Sequence, residues 1–256
     1  MNSLEIIALP AFDDNYIWAL RRGAAVAVVD PGDAAPVLDY LAAGGLRLCA
    51  ILATHHHADH VGGISDLVAA QPVPVYGPAL EAIAGVDQPR GDCARVVLPE
   101  LGIEFEVLGV PGHTRGHVAY YRPGMLFCGD TLFSAGCGRI FEGTPAQMHA
   151  SLARLADLPE ATQVYCAHEY TAANLRFAAA VEPENPALAA RTAAVAELRA
   201  RGLPTLPSTL GLERATNPFL RWDAPAVITA ARLRLGRAPT DAVEVFTAIR
   251  EWRNRY

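Results

Sequence analysis

No apolar run approaches the roughly 18 residues that a membrane-spanning helix requires, in a sequence of 256 residues. A membrane partner is therefore not expected. The N-terminal stretch Met1-Asn2-Ser3-Leu4-Glu5 lacks both a positive n-region and a long apolar h-region, so no secretory leader is expected. Lysine is missing altogether, and all 21 basic residues are arginine, a bias that says little about function. No basic block of the kind that tracks a phosphate backbone occurs, and the net charge is −6. Nucleic acid is not expected as a partner. The cysteines are odd in number and scattered (Cys49, Cys93, Cys128, Cys137, Cys166), with no Cys-x-x-Cys. This fits reduced thiols in a cytosol better than a disulfide framework. Internal repeats and low-complexity tracts are absent too.

What is present is a globular composition, 52% hydrophobic and 19% charged, long enough for a large core and for two domains. Residues 4–9, 16–21 and 24–29 are short β-rich runs, separated by Asp13-Asp14-Asn15 and Arg22-Gly23, and predict an antiparallel meander. A helix is predicted over 35–43, ended by Gly44-Gly45. A buried strand over 46–53 follows, then one helix over 59–70, with Gly62-Gly63 near its start, and a strand over 73–76. Beyond a loop-rich region, strands are predicted over 103–110, 118–122, 125–128 and 163–167. A helix is predicted over 145–158, with Thr144 as its cap and Pro145 at its first position. From Thr171 the pattern turns helical, over 172–181, 187–201, 224–235 and 241–253. The expected fold class is α/β, two sheets with helices outside over residues 1–170, followed by a mainly α-helical domain over 171–256.

Four of the eight histidines stand in Thr54-His55-His56-His57-Ala58-Asp59-His60, just past the strand over 46–53. In extended chain, residues i and i+2 point the same way. His55 and His57 therefore aim at one point and His56 elsewhere, while Asp59 and His60 aim at a second point. Imidazole and carboxylate suit zinc, iron or manganese, and two adjacent donor sets suggest two metals. His113, Asp130 and His168 each follow another predicted strand end. Strand ends are where α/β proteins build sites.

The run Thr54-His55-x-His57-x-Asp59-His60 resembles the signature of the metallo-β-lactamase superfamily. Gly112-His113-Thr114-x-Gly116-His117, Gly129-Asp130 and His168 resemble its further metal motifs, in order. The resemblance implies an αββα sandwich, one metal held by His55, His57 and His113, a second held by Asp59, His60 and His168, and Asp130 bridging. Within that superfamily the chain is most similar to the glyoxalase II, or hydroxyacylglutathione hydrolase, family. The similarity rests on Pro10-Ala11-Phe12-x-Asp14-Asn15-Tyr16, Cys137-Gly138-Arg139-x-Phe141-Glu142-Gly143-Thr144, His168-Glu169-Tyr170-Thr171, Asn217-Pro218-Phe219 and a basic terminal helix. It implies hydrolysis of S-D-lactoylglutathione in methylglyoxal detoxification, by a cytoplasmic monomer holding two divalent ions, zinc first, with iron or manganese as alternatives.

Two such ions lower the pKa of a shared water to about 7 and polarise a carbonyl. A thiolate leaving group needs no strong general acid. Asp59 and Asp130 are the expected catalytic carboxylates, Asp59 also holding the hydroxide by a hydrogen bond. The substrate's two carboxylates call for cations, and the resemblance assigns Arg139, Arg250 and Arg253 to them. Arg250 and Arg253, at i and i+3, share a helix face. Tyr170 is assigned to the glutathione backbone. The family often has lysine where Arg139 and Arg253 stand, and tyrosine where Phe141 stands; here that hydroxyl is missing.

Blander readings stand beside these. His56 is expected to be structural or solvent-facing, His117 to support a ligand, His149 to be ordinary surface and Cys128 to be packing. Asp30 either orients a ligand histidine or serves an ordinary Asp-Pro-Gly turn. Arg250 and Arg253 also suit the end of any final helix, and Gly136 and Gly138 allow a tight loop. Rival functions are a lactonase, a β-lactamase or a glutathione-persulfide dioxygenase on the same platform, or a metal-holding module without turnover.

Overall fold

The computed structural model describes residues 3–256; Met1 and Asn2, part of the stretch inspected for a leader, lie outside the described residues. The chain forms two compact units from interleaved segments: 1–109, 114–122 and 126–129 in the first, 110–113, 123–125 and 130–256 in the second.

In the first unit β1 (Glu5–Ala11), β2 (Asn15–Arg22) and β3 (Ala25–Val29) form the antiparallel meander expected from their turn residues. Helix α1 (Ala35–Gly44) ends on Gly45 in the left-handed region, φ 58°. β4 (Arg47–Leu52) then pairs parallel with β3. Helices α2 (Ala58–Val61) and α3 (Ile64–Ala70) lead to β5 (Val75–Pro78) and β6 (Gln88–Arg90), which complete a six-stranded sheet in sequence order. Its central strands are apolar on both faces because both are covered. One face, with Val26, Val28, Leu48 and Ile51, packs with Val37 and Leu41 of α1 and Ile64 and Leu67 of α3.

β7 (Arg95–Leu98), β8 (Ile103–Gly109), β9 (Val118–Arg122) and β10 (Met125–Gly129) lie side by side in a second sheet. Phe105 meets Tyr120 and Phe127 edge-on at 6.5 and 5.8 Å. Each such buried ring stabilises the fold by about 1.5–3 kcal/mol. The Tyr120 hydroxyl donates to the Ala53 carbonyl at 2.8 Å, and the Val118 amide to the Thr54 carbonyl at 3.0 Å. These bonds tie the second sheet to the chain just past β4.

Two local expectations are corrected here. The single helix over 59–70 is two, because Gly62-Gly63 presses against the turn after β3. The Gly63 amide donates to Pro31 at 2.9 Å, and a Cβ there would lie 2.5 Å from the Ala34 nitrogen. The loop-rich region holds β6 and β7, the former only three residues long and carrying a proline.

In the second unit β11 (Leu132–Phe133) and β12 (Gly136–Cys137) form a hairpin, and α4 (Pro145–Ala156) starts on a Thr144–Gln147 capping box. β13 (Gln163–Cys166), α5 (Thr171–Val181), α6 (Pro186–Ala200), β14 (Ser208–Thr209), α7 (Leu210–Thr216), α8 (Pro225–Leu235) and α9 (Ala242–Arg253) follow. Arg191 of α6 and Glu213 of α7 form a buried ion pair. Arg191 also donates to Ser134 Oγ at 2.7 Å and Ser208 Oγ at 3.0 Å, while Glu213 accepts from the Ala135 amide at 2.7 Å and Asn217 Nδ2 at 3.1 Å. The pair thus pins the hairpin turn. Among the described residues no helix is long and apolar enough to cross a membrane.

Candidate metal centre

In the first unit, Thr54–His57 follow β4, with a bend at Thr54 and His55, and His57 caps α2 with φ −62° and ψ 142°. His55 Nε2 and His57 Nδ1 face each other at 3.1 Å, and the His60 ring lies 4.1 Å from that of His55. Asp30 organises them. Its carboxylate accepts the Thr54 amide at 2.7 Å and the Thr54 hydroxyl at 2.8 Å, and lies 3.1 Å from His60 Nδ1. Having donated to Asp30, the Thr54 hydroxyl can only accept from His55 Nδ1, 3.1 Å away. His55 and His60 are therefore assigned their protons on Nδ1, which leaves both Nε2 lone pairs for a cation. Asp30 has φ 53°, a left-handed conformation that Asp tolerates better than most residues. Of its two readings, orienting a histidine is the one the contacts match.

Asp59 Oδ2 lies 3.4 Å from His60 Nε2. Asn15 Nδ2 donates to the same oxygen at 3.1 Å and to the Asp59 carbonyl at 3.3 Å. His56 turns away, to 2.9 Å from Glu81 Oε2. Glu81 also accepts from the Thr114 hydroxyl and, at 3.1 Å, from the Gly116 amide, so it holds the chain that follows His113. His117 stacks on His55 at 4.6 Å, in keeping with a supporting role.

In the second unit His113 Nδ1 donates to the Arg139 carbonyl at 2.7 Å, and its Nε2 sits 3.4 Å from Asp130 Oδ2. The other oxygen, Asp130 Oδ1, sits 3.4 Å from His168 Nε2. One carboxylate thus places an oxygen beside each of two imidazoles. The 3.4 Å spacing tests the fit to metal. It is long for a hydrogen bond, but two donors at about 2.0–2.1 Å from a tetrahedral cation lie about 3.4 Å apart. Asp59 and His60 show the same spacing. Gly138 lets the loop pass this close, since a Cβ there would lie 1.8 Å from the Asp130 carbonyl oxygen.

The expected substrate residues also lie in the second unit. Tyr170 stacks on His168 at 4.7 Å and 6°, with Phe133 edge-on at 5.2 Å. Phe141 is exposed, lies edge-on to His113 at 5.2 Å and has Arg139 over its ring at 5.3 Å. Arg253 is half-buried over Phe177 at 5.7 Å, and burial lowers its pKa, with the Arg250 charge adding to this. Arg139 and Arg253 have no carboxylate partner among the described residues. Arg250 differs from the picture of two arginines on one open face. It is 8% exposed and donates to the Cys137 carbonyl and Asn254 Oδ1, each at 2.9 Å. Cys137 beside it has its thiol pushed up by burial, against the opposing Arg250 charge. His149 is not ordinary surface, because its ring packs on Trp222 at 4.3 Å. Sequence reading missed Asn15, which looked like a turn former, and Glu81, which carries no local signal.

The chain carries His and Asp groups able to hold two metal ions. Residues 11–168 match the family model of the metallo-beta-lactamase superfamily, and residues 169–256 that of the hydroxyacylglutathione hydrolase C-terminus. A hydroxyacylglutathione hydrolase of Nitrosomonas eutropha is 52% identical over 99% of both chains. One of Alkalilimnicola ehrlichii is 57% identical over 98% of this chain and 99% of its own. A protein crystallised in a di-iron-bound form, TTHA1623, superimposes with a TM-score of 0.59 at 28% identity, over 84% of this chain and 100% of its own. The expected α/β class with a helical C-terminal region is the one found.

Proposed function

The chain belongs to the hydroxyacylglutathione hydrolase family of the metallo-β-lactamase superfamily, and from this premise we propose that it cleaves S-D-lactoylglutathione to glutathione and D-lactate in methylglyoxal detoxification. One observation carries the reading: more than half the residues match hydrolases of that name over essentially the whole chain, residues 169–256 included. The match of residues 169–256 to the hydroxyacylglutathione hydrolase C-terminus favours this reading over a lactonase, a β-lactamase or a dioxygenase. Residues 1–170 serve as the catalytic domain and 171–256 as the substrate-binding domain, in a cytoplasmic monomer.

His55, His57 and His113 are assigned to one ion, Asp59, His60 and His168 to the other, and Asp130 to both. Zinc is the first candidate, with iron and manganese as alternatives. When bound, the ions supply Lewis acidity at the thioester carbonyl and bring water into the neutral pKa range. The chain's residues do the rest. Asp59 accepts a hydrogen bond from the attacking water, whose oxygen bonds to the acyl carbon as the C–S bond breaks. The glutathione thiolate then takes up the proton. Asp30, Thr54 and the Arg139 carbonyl keep the imidazole protons on Nδ1, so the facing Nε2 atoms stay donors to metal. Arg139 and Arg253, unclaimed by any carboxylate among the described residues, meet the substrate carboxylates, and Arg250 adds its charge. Tyr170 takes the peptide backbone, and Phe141 offers an apolar edge where the family often places a hydroxyl.

The test follows loss of thioester absorbance for S-D-lactoylglutathione and for the same acyl group on a small thiol without carboxylates. Fast turnover of the first with poor turnover of the second is expected. No turnover of either by metal-loaded protein refutes the hydrolase reading. Equal turnover of both refutes the roles of Arg139, Arg250 and Arg253.

A further inference from the structure

Asn15 opens β2 and is 8% exposed. In sequence it belongs to the turn cluster Asp13-Asp14-Asn15, and an asparagine there ordinarily bonds to its own turn. Its amide instead reaches 44 residues along the chain, to Oδ2 and the backbone carbonyl of Asp59. Asp59 needs an anchor. It sits on a helix of only four residues, and its side chain is 43% exposed. A carboxylate so placed loses rotamer freedom only if something holds it. Asn15 grips both ends of the residue from a strand buried in the first unit. The oxygen it grips, Oδ2, is the one 3.4 Å from His60 Nε2.

We propose that Asn15 is a positioning residue for the metal centre: its buried amide sets the Asp59 carboxylate so that Oδ2 joins His60 Nε2 as a ligand pair and Oδ1 stays available to the reacting water. This rests on the reading of Asp59 as a ligand. An amide suits the task because it donates to the carboxylate without a charge that would compete with the cation. An aspartate of the same shape would repel Asp59. Groups that orient a metal ligand in this way typically govern 10–100-fold in metal affinity.

The experiment titrates zinc into the metal-free protein against a chromophoric chelator that resolves two stepwise affinities. The variants are Asn15→Ala and the shape-preserving Asn15→Asp, each alone and combined with Asp59→Ala. Thermal unfolding of every metal-free variant checks that it is folded. One zinc affinity is expected to fall by about 10–100-fold in Asn15→Ala, at least as far in Asn15→Asp, with the other within about threefold. In the Asp59→Ala background neither substitution has a further effect. Both affinities staying within about threefold of the unsubstituted protein's overturns the proposal. So does an equal loss at both sites, or the full effect persisting without Asp59. Failure of the ligand reading is seen separately, as fewer than two zinc ions bound by the unsubstituted protein or no loss on Asp59→Ala.

Discussion

Replacing Glu213 with alanine tests how the second unit holds its hairpin. The carboxylate is fully buried, and its partner Arg191 is only 4% exposed. The substitution deletes the acceptor for a guanidinium, for the Ala135 amide and for Asn217 Nδ2. Ser134 and Ser208 remain beside Arg191, but neither carries charge. Removing one member of such a pair costs about 3–5 kcal/mol, mostly because the other charge is left uncompensated. For a chain of this size that is a drop of about 6–20 °C in melting temperature, at about 2–4 °C per kcal/mol. Scanning calorimetry of the metal-free protein measures it. The hairpin leads into Cys137-Gly138-Arg139, so KM for the thioester should rise in the same variant. The double substitution Arg191→Met with Glu213→Leu removes both charges and should recover stability relative to Glu213→Ala. A loss under about 1 kcal/mol in the single variant, or a double variant no better than the single, refutes the reasoning.

Asp130→Asn should leave fewer than two zinc ions per chain after dialysis, and cut turnover by about 100-fold or more; elemental analysis and the thioester assay read both. Arg139→Ala and Arg253→Ala should each raise KM by about 10-fold with kcat little changed, the pattern of a lost ground-state contact. His149 has its folded pKa held below 6.5, chiefly by burial against Trp222. The unfolded chain then binds more protons, so its contribution is fully present above pH 6.5 and is lost as pH falls through the folded value. His149→Phe should flatten the denaturant midpoint over that window, and an unchanged pH slope would contradict this.

The sequence revealed most where one signal was local. The strands β1–β3 of the meander are joined by turns of two or three residues, and the capped helix α4 is twelve residues long; both are where they were expected. Two kinds of feature were not legible. Elements of two or three residues, such as β6, β11, β12 and β14, have no periodicity to detect, and α7 carries Gly211 in its first turn. Roles set by tertiary contact were also hidden: Asn15 and Glu81 act on residues 25 or more positions away. Arg250 shows the limit of helical spacing. Its i, i+3 relation to Arg253 does not tell that Cys137 already occupies its guanidinium.

Asp30 is wired to His60 directly and to His55 through Thr54. One carboxylate therefore governs the posture of residues assigned to different ions. A change there acts on His55 and His60 together, and φ 53° favours asparagine and glycine among the replacements, neither of which carries the charge. Engineering a one-metal catalyst from this scaffold would have to start at a site-specific residue such as His57 or Asp59, leaving position 30 as the fixed point around which either version is built.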